Sequence, residues 1–258
     1  MHLRRNSMML AIALTLGLSA GGADAALSPG ISRFQLGGTG ATLELALRLN
    51  LGSRPSRYRV GGFRRSGSCL AEGQELVPLV PPLAREQADD IDPVDLTVSS
   101  SPTLWVHVPD LNGAKTAQFT LQDELGTHEL VSAEFELSGQ SGVVGIKTSS
   151  LGSEELQVGE IYYWQMAVEC NVNTADGNPV VSGWISRTTL AGVPVTGTPS
   201  QQATFYAENG IWQDAVSTLA TARYQDPANG TVSADWRSLM ESAGLVEFSG
   251  APVVQVVE

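Results

Sequence analysis

The stretch Leu156 to Cys170, LQVGEIYYWQMAVEC, sets the fold class. From Ile161 onward Tyr162, Trp164, Met166, Val168 and Cys170 fall on one face of an extended chain. Period-two alternation of this kind marks a half-buried strand, because successive side chains of a strand point to opposite sides. Leu156, Gly159 and Tyr162 are spaced Leu-x-x-Gly-x-x-Tyr and lead straight into it. Outward from this strand the alternation recurs. Leu104 to Pro109 (LWVHVP) groups Leu104, Val106 and Val108, and Thr116 to Asp123 groups Ala117, Phe119 and Leu121. Leu130 to Leu137 groups Val131, Ala133, Phe135 and Leu137. Gly142 to Thr148 is a short apolar run, and Pro179 to Leu190 follows the turn signal Asp176-Gly177-Asn178.

Six or seven such strands, with turn residues between them, read as a mainly β protein built on an antiparallel β-sandwich. The Leu156–Tyr162 spacing is similar to the corner of immunoglobulin-like sandwiches, where a Tyr turns its hydroxyl back against the loop. Near the C-terminus the period changes. Between Thr204 and Tyr224, Trp212, Ala215, Val216, Leu219, Ala220 and Arg223 recur at helical spacing, with Asn209-Gly210 breaking the pattern near its start. Ser233 is expected to cap a second helix carrying Trp236, Leu239, Met240 and Ala243, and Gly244 to stop it. The run Tyr206, Gly210, Trp212, Ala215, Leu219, Pro227 resembles one tetratricopeptide-like α-helical hairpin. A single repeat cannot bury its own apolar face, so it must pack on the sandwich or on a partner. Pro252 to Val257 (PVVQVV) is expected as a tail or edge strand.

Before the strands lies an address. His2, Arg4 and Arg5 precede an apolar run from Met8 to Ala20, and Ala23-Asp24-Ala25 is an A-x-A cleavage signature. This is the layout of a secretory signal peptide, and the apolar run is shorter than the roughly 20 residues a membrane-spanning helix needs. The expected organisation is a signal peptide over 1–25, an Arg-rich, partly flexible N-terminal segment over 26–66, a β-sandwich over 67–198, a helical hairpin over 199–248 and the tail over 249–258. The expected location is extracytoplasmic, periplasmic or secreted. Cys69 and Cys170 would pair there as one disulfide, which on the loop-entropy model stabilises by up to about 4–5 kcal/mol.

The chain has 258 residues and a net charge of −12, which argues against a nucleic-acid partner. The charge is segregated. Arg33, Arg48, Arg54, Arg57, Arg59, Arg64 and Arg65 face only Glu44 between residues 26 and 65, whereas from Ser66 onward 6 basic residues meet 25 acidic ones. Such an arm can dock on the acidic body, meet an anionic partner, or stay solvated. The acidic loop Asp89–Asp95 misses calcium-loop spacing and is interrupted by Pro93, so it reads as solvated. His107 alternates against Val106 and Val108 and reads as a surface residue, and His128 has no second His at ligand spacing. Asp123 and Glu124 would point to opposite faces of a strand. No catalytic residue, cofactor site or metal set is assigned. Trp212, Trp236 and Tyr206 are the candidate interaction residues, because interfaces favour large aromatic anchors.

Four blocks together carry a family resemblance. They are Arg64-Arg-Ser-Gly-Ser-Cys69 with Leu76 to Pro81 (LVPLVP), Pro102 to Pro109 (PTLWVHVP) with Phe119 to Glu124 (FTLQDE), Leu156 to Cys170, and Tyr206 to Ala215 (YAENGIWQDA). Over about Arg57 to Leu245 the chain resembles an uncharacterised bacterial family, domain of unknown function 928. The chain is looser than that family before Cys69, and the resemblance does not place the acidic loop Ala88–Asp95. The resemblance implies an exported protein with strands followed by helices, and it brings no activity or catalytic residue. The function expected is a non-catalytic binding or protein-interaction module with an unknown protein or envelope partner. The alternatives are an extracytoplasmic hydrolase using carboxylates such as Asp123, and a cell-envelope structural or polysaccharide-binding protein.

Overall fold

The structure, a computed structural model, describes residues 32–34, 45–47, 69–81, 94–170, 177–191 and 197–258. The signal-peptide stretch, most of the Arg-rich segment and Asp89, Asp90 and Asp92 lie outside these residues. Strands β1 (Ser32–Phe34) and β2 (Leu45–Leu47) pair antiparallel as a small sheet of their own. The strands β3 (Val77–Pro78), β4 (Val94–Thr97), β5 (Thr103–Val108), β6 (Thr116–Asp123), β7 (Glu129–Glu136), β8 (Gly142–Lys147), β9 (Ile161–Val168) and β10 (Val180–Arg187) come next. They are followed by helices α1 (Pro199–Glu208), α2 (Trp212–Gln225) and α3 (Gly230–Ser242), and then β11 (Val253–Val257).

One sheet has the order β4-β10-β9-β6-β7 and the other β11-β8-β5-β3. They pack face to face through the residues that the alternation groups: Leu104, Val106 and Val108 from β5, Ala117, Phe119 and Leu121 from β6, and Tyr162, Trp164, Met166 and Val168 from β9 share one core. An all-antiparallel, immunoglobulin-like order does not form. β4 runs parallel to β10, and β11 runs parallel to β8, so both sheets are mixed and the sandwich is open. The reason is chain order: β4 and β11 reach their partners from far along the chain, and no hairpin turn imposes an antiparallel entry.

The Leu156–Tyr162 corner forms. The Tyr162 hydroxyl accepts the backbone N–H of Gln157 at 2.9 Å, and Leu156 is buried in the core between the sheets. Cys69 and Cys170 are joined across 101 residues of chain. Cys69 lies in the same core, with Cys170 packed against it. The bond therefore ties the chain before β3 to the end of β9.

Three helices form where two are expected. Thr198 caps α1 in a box with Gln201, Pro199 opens it, and Asn209-Gly210 ends it, Gly210 taking a left-handed φ of 73°. The cap of α3 is Asn229, four residues before the expected Ser233; its side chain accepts the Val232 N–H at 3.1 Å. Gly244, at φ 76°, ends α3 as expected, and the Leu245 N–H returns to the Met240 carbonyl at 2.8 Å. The helices cover the outer face of the four-stranded sheet. Trp105, Val143 and Leu79 share a second core with Trp212, Leu219, Trp236 and Leu239. Strand β1 lies against α3 and β2 against α1.

The edges of the sandwich are sealed by side chains. Gln255 of β11 accepts from the Ser138 N–H and donates to the Glu136 carbonyl, both at 2.8 Å, and so joins the free edge of one sheet to that of the other. Removing the corner hydroxyl tests the corner's weight. Tyr162→Phe leaves the Gln157 N–H without its acceptor and should cost about 1–2 kcal/mol in urea unfolding, with the strand content unchanged.

Candidate functional site

The most specific polar chemistry of the described residues lies where α2 meets the sheets. Trp105 leaves β5 toward the helices and donates its indole N–H to Ser217 Oγ at 2.8 Å. Gly145 on the neighbouring strand makes room for the ring, since a Cβ there would stand 2.6 Å from it. Trp212 donates to the Leu79 carbonyl at 2.8 Å, and Trp236 donates to the Phe248 carbonyl at 3.2 Å. Gln213 donates to the Thr103 carbonyl. The Arg223 guanidinium lies 5.0 Å over the Trp236 ring and bonds the Ala251 carbonyl, placing a cation on the aromatic face. Each large ring thus fills the apolar layer while its polar atom finds a partner.

The expected interaction residues are therefore placed differently from what their size suggests. Trp212 and Trp236 are 1% and 0% exposed, so they anchor this chain's own helices to its own sheet. Tyr206 is half-buried on α1, and its phenol is held above the usual range by burial and by the charge of Asp214. Helical spacing alone cannot separate an inward from an outward face for these rings.

Beside this aromatic layer the same helix closes the edge of the other sheet. Asp214 accepts the Val98 N–H at 3.1 Å and the Thr97 hydroxyl. Burial nevertheless keeps its carboxyl above the ordinary range, outweighing those bonds. Two residues earlier on β4, Asp95 is 6% exposed, and burial raises its pKa to about 7. The solvated reading of the acidic loop thus fails at its last residue. Asp95 is in a strand buried on both faces, whereas its place between Val94 and Leu96 would set it on a polar face, so the sequence carries no signal of its burial.

The remaining candidates stay apart. His107 is half-buried rather than open to solvent: its ring lies tilted, 4.7 Å from that of Phe248, and burial lowers its pKa. His128 pairs with Glu154 at 3.2 Å on the exposed surface. Asp123 is half-buried and accepts from the Thr127 backbone and hydroxyl, chiefly the latter holding its carboxyl below the usual range. Among the described residues no group of three His, Cys, Asp or Glu could hold a metal ion, and no helix is long and apolar enough to cross a membrane.

Two open mixed sheets with a helical layer bonded to one of them define a β-rich scaffold with a C-terminal helical cover. The model of the family described as Domain of Unknown Function (DUF928) matches residues 60–253, and the chain belongs to that family. No curated protein matches the chain.

Trp212→Phe keeps a ring but removes the donor to Leu79 and part of the filled volume. It should cost about 2–3 kcal/mol in urea unfolding with far-ultraviolet dichroism preserved. A cost near zero would mean that the ring does not hold the helices to the sheet.

Proposed function

We propose that the protein is exported and acts outside the cytoplasm as a non-catalytic binding or protein-interaction module. The observation that carries the location is the Cys69–Cys170 disulfide, since such bonds persist in oxidising compartments. It agrees with the signal-peptide pattern read over residues 1–25. The surface supports the binding role and the kind of partner. Glu129, Glu134 and Glu136 are exposed along β7, the edge of the five-stranded sheet. Exposed Glu154 stands beside them, its N–H on the Leu130 carbonyl, and exposed Glu155 follows. A partner suited to this edge is cationic, a protein or envelope component, and its capture would weaken with salt.

The experiment expresses the full chain in a bacterial host, fractionates the cells, and takes the intact mass of the recovered protein. Expected are a periplasmic or secreted chain beginning near Ala26, two hydrogens lighter than the dithiol form, and a partner retained at low salt. The triple substitution Glu129→Lys, Glu134→Lys, Glu136→Lys should release that partner without loss of fold. A cytoplasmic chain with its leader and two free thiols contradicts export, and binding indifferent to the triple substitution contradicts the acidic edge.

The hydrolase alternative has one observation in its favour, and it is not Asp123. Asp95, with a pKa near 7, is the carboxyl whose proton is available for acid–base chemistry at neutral pH. A hydrolytic activity of the exported protein that Asp95→Asn abolishes would favour this second reading.

A further inference from the structure

The carboxyl of Asp95 occupies an unusual position. β4 is an edge strand held by one neighbour, and its register sets Asp95 opposite Ile185 and Thr97 opposite Arg187. Paired residues share a face, so Asp95 lies on the side of Ile185, which is fully buried in the core between the sheets. The opposite side of β4 carries Val94, packed with Trp184, Tyr163 and Ile161. Among the described residues no donor or cation bonds Asp95. Asp214, on α2, is engaged by Thr97 and Val98. Arg187, on β10, directs Nη1 to the Leu156 carbonyl at 2.9 Å. These two are the charged groups that β10 and α2 bring to this face of β4.

A carboxylate in such surroundings is costly, because burial strips its hydration and no described residue bonds it. The protonated form is the one that packs. We propose that Asp95 is a proton-operated latch on the sheet edge: protonated, it seats β4 against β10, and on losing its proton it loosens that edge. Strand β4 is suited to this, being four residues long and paired on one side only. Its loosening would uncover Val94 and the Trp184 and Tyr163 rings behind it, and would free Val98 from Asp214.

The direction of the pH response follows from linkage. The folded carboxyl titrates near 7 and the unfolded one near 3.8, so the folded state binds the extra proton between those values. The stabilisation is complete below about pH 3.8 and is lost as pH rises through about 7. The experiment is hydrogen exchange on the full chain at pH 5.5 and 8.5, corrected for intrinsic rates, with the Val94–Val98 amides compared with those of β8. In the wild type the β4 protection should fall about thirtyfold between the two values, while β8 changes little. Asp95→Asn should remove most of that difference. An undiminished difference in Asp95→Asn, or its disappearance only in Asp214→Asn, would overturn the assignment. Should Asp95→Asn fail to fold, infrared spectra of the wild-type chain carrying labelled aspartate decide. A protonated carboxyl band persisting at pH 6 supports the latch, and its absence there overturns it.

Discussion

Strand β5 must be apolar on both faces, and the layering of the whole molecule follows from it. Leu104, Val106 and Val108 fill the space between the two sheets, while Trp105 and His107 turn the other way into the helical layer. A strand of this kind has no solvent side. The helices are accordingly the second wall of the sheet, and the indole of Trp105 bonds across the boundary to Ser217. Trp212 makes the same kind of bond to the Leu79 carbonyl beside β3, whereas Trp236 bonds Phe248 within the C-terminal layer. The aromatic layer explains why a single helical repeat can exist here: its apolar face is buried by the sheet, with β1 and β2 against α3 and α1.

Much of this is legible in the amino-acid sequence. Alternation locates β6 at Thr116–Asp123 and places β5, β7, β8, β9 and β10 within a few residues, because each has one face in the common core. The Leu156–Tyr162 spacing implies a hydroxyl-to-backbone bond, which is local geometry and therefore readable. The Cys69–Cys170 bond is legible too, from the presence of two cysteines behind a signal-peptide-like pattern. What stays hidden is non-local. The parallel pairings of β4 and β11 depend on where distant segments return, and no adjacent turn announces them.

The misread site residues share one cause. His107 reads as a surface residue because it alternates with valines, but the layer packed on that side of the sheet leaves it half-buried against Phe248. Trp212 and Trp236 read as docking anchors because a lone hairpin must cover its apolar face with something. Asp95 reads as solvated because acidic neighbours precede it, yet β4 is buried on both faces once it pairs with β10. In each case the side chain's chemistry is plain from the sequence, and the layer packed against it is not. The large rings and Asp214 are engaged inside the molecule, and acidic β7 faces outward.

Sandwich and helices share one packed layer through Trp105, Trp212 and Trp236 and should therefore unfold as one unit. The decisive measurement is urea unfolding of the oxidised full chain, followed together by far-ultraviolet dichroism and by hydrogen exchange of β6 and α2. One coincident transition, displaced equally for both elements by Trp236→Phe, is the expected result. Helices that melt ahead of an intact sandwich, with β6 unaffected by the substitution, would contradict it.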